Sequence, residues 1–185
     1  MSAIPTETQE LIRRLRHPDT VREAFAEVVH LYSEPLYKQI RRMVPTHDDA
    51  ADILQNTFMK AWSSLENFRG EARLSTWLYK IAINESLSFL ARDSRHSHVS
   101  LDDRDSAGAN SLQADAPLDG DDLAARLRCA IDTLPEKQRL VFNMRYYDQM
   151  KYEDMSNILG TSVGALKASY HLAVKKIEQF FESTD

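Results

Sequence analysis

The amino-acid sequence predicts an all-α protein made of two helical domains and a linker. Three observations carry that expectation. Leu, Ala, Met, Glu, Lys and Arg recur at intervals of three and four, with only five glycines and no alternating β-branched run. The helical patterning stops near Arg92 and resumes near Asp122. From Tyr152 onward a short helix, a Gly160-Thr161 turn and a longer helix give the layout of a helix-turn-helix.

The bulk numbers narrow the function classes. A chain of 185 residues with 43% hydrophobic content suits one ordinary domain or two small ones. Lys+Arg 23 against Asp+Glu 28 gives a net charge of -5, which argues against a uniformly basic nucleic-acid coat. Local DNA binding survives that test, because the placement of positive charge matters more than its total. Cys129 is the single cysteine, so neither an internal disulfide nor a multi-cysteine zinc site is available. That suits a reducing cytoplasm, the expected location. Met1–Gln9 carries no signal-peptide run, and no apolar run approaches the roughly 18 residues of a membrane span. No membrane insertion is expected.

The elements follow in order. Thr20 with Glu23 reads as a capping box opening VREAFAEVVHLYSEPLYKQIRRMV, a helix that Pro35 is expected to kink or break. Pro45 ends it, and Thr46 with Asp49 opens DDAADILQNTFMKAWSSLENF. There Leu54, Phe58, Ala61, Trp62 and Leu65 read as the apolar stripe, with Asp49, Asp52, Gln55 and Asn56 on a polar face. NFRGEAR breaks the pattern at Gly70. Ser75 then reads as the cap of a helix whose apolar side holds Leu74, Trp77, Leu78, Ile81 and Ala82. The acidic, Ser- and Ala-rich stretch 93–121 lacks periodicity and reads as a linker between domain 1–92 and domain 122–185. Four helices are predicted beyond it: Asp122–Thr133, Glu136–Tyr147 behind Pro135, Tyr152–Leu159 and Ser162–Phe181.

Three segments carry functional signals, each with a bland reading beside it. From Val163 to Ile177 the last helix holds Lys167, Lys175 and Lys176, a further donor in His171, and no acidic residue. Such a helix can lie in a major groove, or it can be a core helix with a solvated lysine face. NFRGEARLSTWLYKIAIN sets Phe68, Trp77 and Tyr79 among Arg69, Arg73 and Lys80, a composition that can stack on unpaired bases and neutralise their backbone. Trp77, at helical spacing with Leu74, Leu78 and Ile81, reads as core, whereas Phe68 and Arg69 beside Gly70 read as functional. DDAADILQNTF, by composition alone, is solvated surface.

Taken together and in order, these segments identify a resemblance. The chain resembles the extracytoplasmic-function sigma factors over about Ala24–Arg92 and Leu123–Phe180. DDAADILQNTFMKAW is similar to the family's polymerase-clamp-binding helix, and FRGEARLSTWLYKIAIN to its minus-10 recognition and melting segment. LPEKQRLVFNMRYYDQMKYEDMSNILGTSVGALKASYHLAVKKI is similar to its minus-35 domain. The resemblance implies core RNA polymerase (through the β′ clamp), promoter DNA and an anti-sigma factor as partners, with no cofactor, metal or catalytic residue. It implies polymerase contact or its support at Asp49, Asp52, Ile53, Gln55, Asn56 and Phe58, where Asn56 replaces a common glutamate. It implies minus-10 contacts at Phe68, Arg69, Arg73, Trp77, Lys80 and Asn84, and minus-35 contacts at Lys167, Ser169, Tyr170, His171 and Lys175. Leu172 and Val174 stand where basic residues are frequent, so a shallower salt dependence of DNA binding is expected.

Other classes remain open on the residues alone. An ordinary helix-turn-helix regulator with a helical N-terminal domain accounts for the C-terminal half. An enzyme finds little support, since phosphate-binding glycine loops, nucleophile elbows and HExxH are all missing from the sequence. His96 and His98 beside aspartates are more simply chance than a metal site. A helical adaptor that binds only protein is the third alternative.

Overall fold

In the computed structural model the described residues are 9–68, 73–99 and 122–183, as backbone alone for 93–99 and 122. They fall into two compact units, one on each side of the predicted linker, whose residues 100–121 lie outside the described set. All regular structure among the described residues is helical.

The first unit holds α1 (Gln9–Leu15), α2 (Val21–Arg41), α3 (His47–Ser63) and α4 (Leu74–Val99), with a 3-10 turn at Leu65–Asn67. Its core is where α2, α3 and α4 pack on one another. Val28, Tyr32, Leu36 and Ile40 of α2 are buried there at intervals of four. That stripe explains why Pro35 does not break the helix. One lost N–H bond costs a few kcal/mol at most, and burial of a stripe of large apolar side chains offsets it. Of the kink or break expected at Pro35, the break does not occur: α2 is one helix of 21 residues.

Two predicted caps are corrected as well. Thr20 makes no side-chain cap on α2; its hydroxyl donates to the Arg14 carbonyl at 2.9 Å, tying α2 to the end of α1. Ser75 lies inside α4 and is buried, because Leu74 already begins the helix. α1 is a helix beyond those the pattern predicts, with buried Leu11 and Leu15 four residues apart. At the other end α4 continues past Arg92 to Val99, since DSRHSHV offers neither glycine nor proline to stop it.

The second unit holds α5 (Asp122–Asp132), α6 (Glu136–Tyr146), α7 (Tyr152–Leu159) and α8 (Val163–Glu182), each within a residue or so of its expected bounds. α5, α6 and α7 all pack against α8. Ala130, Ile131, Leu134, Phe142, Ala173 and Ile177 form the buried centre. Gly160 closes α7 at φ 64°, a left-handed conformation that costs a side-chain-bearing residue about 1–2 kcal/mol. Ser162 opens α8, accepting from the Ala165 N–H at 3.3 Å.

Candidate nucleic-acid and protein interfaces

α3 presents the first surface. Its N-terminus is held by a reciprocal pair: the Asp49 N–H donates to Thr46 Oγ1 at 3.1 Å, and the Thr46 hydroxyl donates to Asp49 Oδ2 at 2.6 Å. Asp48 and Asp49 in the first turn also suit the positive end of the helix dipole. Ala50, Ile53, Thr57 and Ala61 turn inward, and the buried Thr57 hydroxyl donates to the Ile53 carbonyl at 2.7 Å. The buried stripe therefore differs from the predicted Leu54-Phe58-Ala61-Trp62-Leu65 set. Trp62 is 43% exposed, because the small Ala50, Thr57 and Ala61 let α3 approach its neighbours on that side instead.

Asp52, Gln55 and Asn56 are exposed on the outer side of α3, Asp49 is half-buried, and Met59, 61% exposed, continues the surface by one turn. Ile53, only 3% exposed, cannot touch a partner and supports the helix from beneath. Phe58 is half-buried, edge-on to Phe25 of α2 with ring centroids 6.4 Å apart, and Trp62 stands 5.0 Å from the same ring. Lys60 is ion-paired with Glu85 of α4, which ties the two helices together.

α4 carries the second surface. Arg73, Lys80 and Asn84 are exposed, with half-buried Trp77 and Ile81 on the same side at intervals of three and four. Leu74, Leu78, Ala82, Ile83 and Ser86 face the core. The burial of the two aromatics is the reverse of the composition reading. Phe68 is 7% exposed and packs against Trp77 with ring centroids 5.0 Å apart, whereas Trp77 keeps part of its ring open. Phe68 is thus packed beneath Trp77 in this structure. Arg69 lies outside the described residues.

α8 carries the third surface. Leu166, Ala173 and Ile177 are buried and set the rotation of the helix. Lys167, His171 and Lys175 are consequently exposed, with Ala165, Ala168, Leu172 and Lys176 among them. Lys167 leans over the Tyr152 ring of α7, 5.7 Å from its centroid. Tyr170 is half-buried and braced from within the unit. Its ring stacks on Phe142 of α6 at 5.7 Å and 14°, and Phe142 in turn stacks on Tyr146 at 5.1 Å. Burial, followed by the neighbouring Tyr152, pushes the Tyr170 hydroxyl above its usual pKa. Tyr170 and Ser169 are both half-buried and sit at the edge of the exposed face.

Ala168 and Leu172 also face outward on α8, because buried Leu166, Ala173 and Ile177 set its rotation. Among the described residues no group of three or more His, Cys, Asp or Glu is placed to hold a metal, and the side chains of His96 and His98 lie outside them. No helix of the described residues is long and apolar enough to cross a membrane.

The comparisons fall on the same two units. Residues 28–96 match sigma-70 region 2, and residues 124–177 match sigma-70, region 4. The chain is 30% identical over 179 residues to the ECF RNA polymerase sigma-E factor of Haemophilus influenzae, covering 92% of this chain and 93% of that protein. It is 29% identical over 179 residues to the RNA polymerase sigma-H factor of Pseudomonas aeruginosa, covering 92% of each. Among solved structures it is similar to the sigma factor RpoE in complex with the anti-sigma factor NepR from Bartonella quintana. That match has a TM-score of 0.71 at 23% identity and covers 85% of this chain and 96% of that one. CnrH in complex with the cytosolic domain of CnrY gives a TM-score of 0.68 at 20% identity, over 95% and 97% of the two chains. At those identities the structures speak for the fold, while the relatives and both matched regions speak for the family. The chain belongs to the extracytoplasmic-function group of the sigma-70 family of RNA polymerase sigma factors.

Proposed function

We propose that this chain works as an alternative sigma factor by dividing three tasks among α3, α4 and α8. The outer side of α3, with Asp52, Gln55 and Asn56, docks on the β′ clamp of core RNA polymerase, while Asp49 and Ile53 hold the helix in shape. The outer side of α4 receives the melted minus-10 strand. Trp77 offers its open ring face to a base, Arg73 and Lys80 neutralise phosphates, and Asn84 supplies hydrogen bonds. Extruding a base costs a few kcal/mol, and a platform already fixed by Phe68 offsets part of that. The outer side of α8 enters the major groove of the minus-35 duplex, with Lys167, His171 and Lys175 toward the DNA.

The observation that carries this reading is the charge pattern of α8 set against α3. From Val163 to Ile177 there is no carboxylate, whereas the outer side of α3 carries Asp48 and Asp52 and is open. A cationic helix suits phosphate, and an acidic-amide helix suits a protein surface. Neither DNA-reading unit needs to bind tightly alone, because the polymerase fixes both on one promoter and raises the effective concentration of the second site. The covalent chemistry belongs to the polymerase, so this chain acts as an initiation factor and not as an enzyme, in the cytoplasm. An anti-sigma factor is the proposed regulator, by likeness to the NepR complex of RpoE.

The test is size-exclusion chromatography of the full chain with core polymerase, beside an Asp52→Arg, Gln55→Ala variant. Co-elution that the variant loses is expected. A folded wild-type chain that forms no complex would instead be an ordinary helix-turn-helix regulator.

A further inference from the structure

Along the outer side of α8, Ala165, Ala168 and Leu172 follow one another at intervals of three and four, and all three are exposed. Leu172 is 47% exposed, a large aliphatic side chain left open on the same side as the lysines. Lys167, His171 and Lys175 flank this strip on one side of the helix and Lys176 on the other. The rotation that puts Leu172 outward is not incidental. It is held by buried Leu166, Ala173 and Ile177 and by the stack of Tyr170 on Phe142.

An apolar strip between cations has a narrow set of ligands. The lysines call for anions on both flanks, and the strip calls for an apolar group between them. A DNA major groove offers that arrangement, with phosphates along its edges and one apolar group on its floor, the thymine 5-methyl. A guanine at that place would have its O6 and N7 covered by a side chain with no donor, which costs the desolvation of unpaired polar atoms. Leucine therefore selects for thymine and against guanine, whereas an arginine there would do the reverse.

We infer that Leu172, with Ala168 one turn before it, is a specificity-determining residue that reads thymine methyl groups in the minus-35 element. This rests on the reading of α8 as the helix that enters the groove. The consequence is an element with an A·T pair where a guanidinium-bearing helix would favour G·C.

The experiment uses holoenzyme assembled from the full chain and core polymerase, on promoters with a randomised minus-35 element and a constant minus-10 element. Selected duplexes are then remade with deoxyuridine for each thymine in turn, which removes only the 5-methyl group. Wild type is expected to select thymine at one or two positions and to lose about fourfold in affinity when that methyl is removed, the worth of one buried methyl-sized group. Leu172→Ala is expected to lose both the thymine preference and the methyl sensitivity, and Leu172→Arg to shift selection toward guanine. Because Leu172 is exposed, both variants should melt like wild type, and a thermal scan checks this.

The idea is overturned if no thymine-to-deoxyuridine exchange changes binding, or if the sensitivity persists in Leu172→Ala. It is also overturned if Leu172→Ala weakens all duplexes alike, which would place the leucine against protein. Lys167→Ala and Lys175→Ala separate this from failure of the underlying reading. If they weaken duplex binding and flatten its salt dependence while the methyl exchange is silent, only the Leu172 assignment falls. If they too are silent, α8 is not on the DNA.

Discussion

α3 and α8 are built on one plan and differ in what they leave outside. Both open on a hydroxyl cap, Thr46 in one and Ser162 in the other. Each buries one narrow stripe: Ala50, Ile53, Thr57 and Ala61 in α3, and Leu166, Ala173 and Ile177 in α8. Outside, α3 shows Asp48, Asp52, Gln55 and Asn56, while α8 shows Lys167, His171, Lys175 and Lys176. The packing device is similar, and the prevailing sign of the exposed charge differs. Local composition on a helix surface therefore chooses the partner class, and the fold chooses which residues form that surface.

The sharpest way to break the comparison is to reverse one charge on each helix. Asp52→Arg should weaken association with core polymerase by about tenfold or more, since like charges set against each other cost several kcal/mol in a docked interface. Lys175→Glu should leave that association intact and weaken holoenzyme binding to a promoter that needs its minus-35 element. Chromatography reads the first effect and gel shifts read the second. If both variants fail in both assays, the two surfaces are not separate in function.

Next in size is the turn that presents α8. Gly160→Ala meets open space around its new Cβ, so its whole cost is the left-handed backbone, about 1–2 kcal/mol. Urea melts should show the loss in the C-terminal unit. Cap removal follows at about 1 kcal/mol each. Thr46→Ala should cost more than Ser162→Ala, because Thr46 both accepts from the Asp49 N–H and donates to its carboxylate, whereas Ser162 makes the one longer bond. Equal losses in thermal scans would show that the reciprocal pair in α3 adds nothing.

The smallest effect concerns Asp132, the last residue of α5. Partial burial holds its carboxyl above the usual range, against the pull of Arg139 and Arg128, and the negative end of the helix dipole opposes its charge as well. A raised folded-state pKa means that the folded chain binds the proton more tightly than the unfolded chain does. Its contribution is greatest below the ordinary carboxylate value and is lost as pH rises through the raised one. Asp132→Asn should flatten that part of the profile and raise Tm slightly at neutral pH, as read by circular dichroism across pH.

The all-α class, the two units and most helix bounds in the C-terminal half were legible because the signals are local. Pro135 before α6, Gly160 after α7 and Ser162 before α8 each act within a few residues of their own position. The misreadings have a common cause. Thr20 has the composition of a cap, yet its hydroxyl goes to Arg14 of the preceding segment. Pro35 has the chemistry of a break, yet residues on both sides of it are held in one core. Trp62 stands at core spacing and Phe68 beside the Gly70 turn, and each lies on the other side of the surface boundary from the one expected.

By itself the sequence determined the helical class and most helix bounds of the C-terminal unit, where acidic and cationic side chains collect, and which family the order of segments resembles. Those properties depend on neighbours a few residues away along the chain. Only the tertiary structure decided that Trp77 is half-buried while Phe68 is covered, that Tyr170 is half-buried against Phe142, and that Leu172 stands outward among the lysines. The angle at which a helix turns about its own axis is set by side chains of other helices, distant in sequence, and that angle separates a residue that can be read by a partner from one that holds the reader in place.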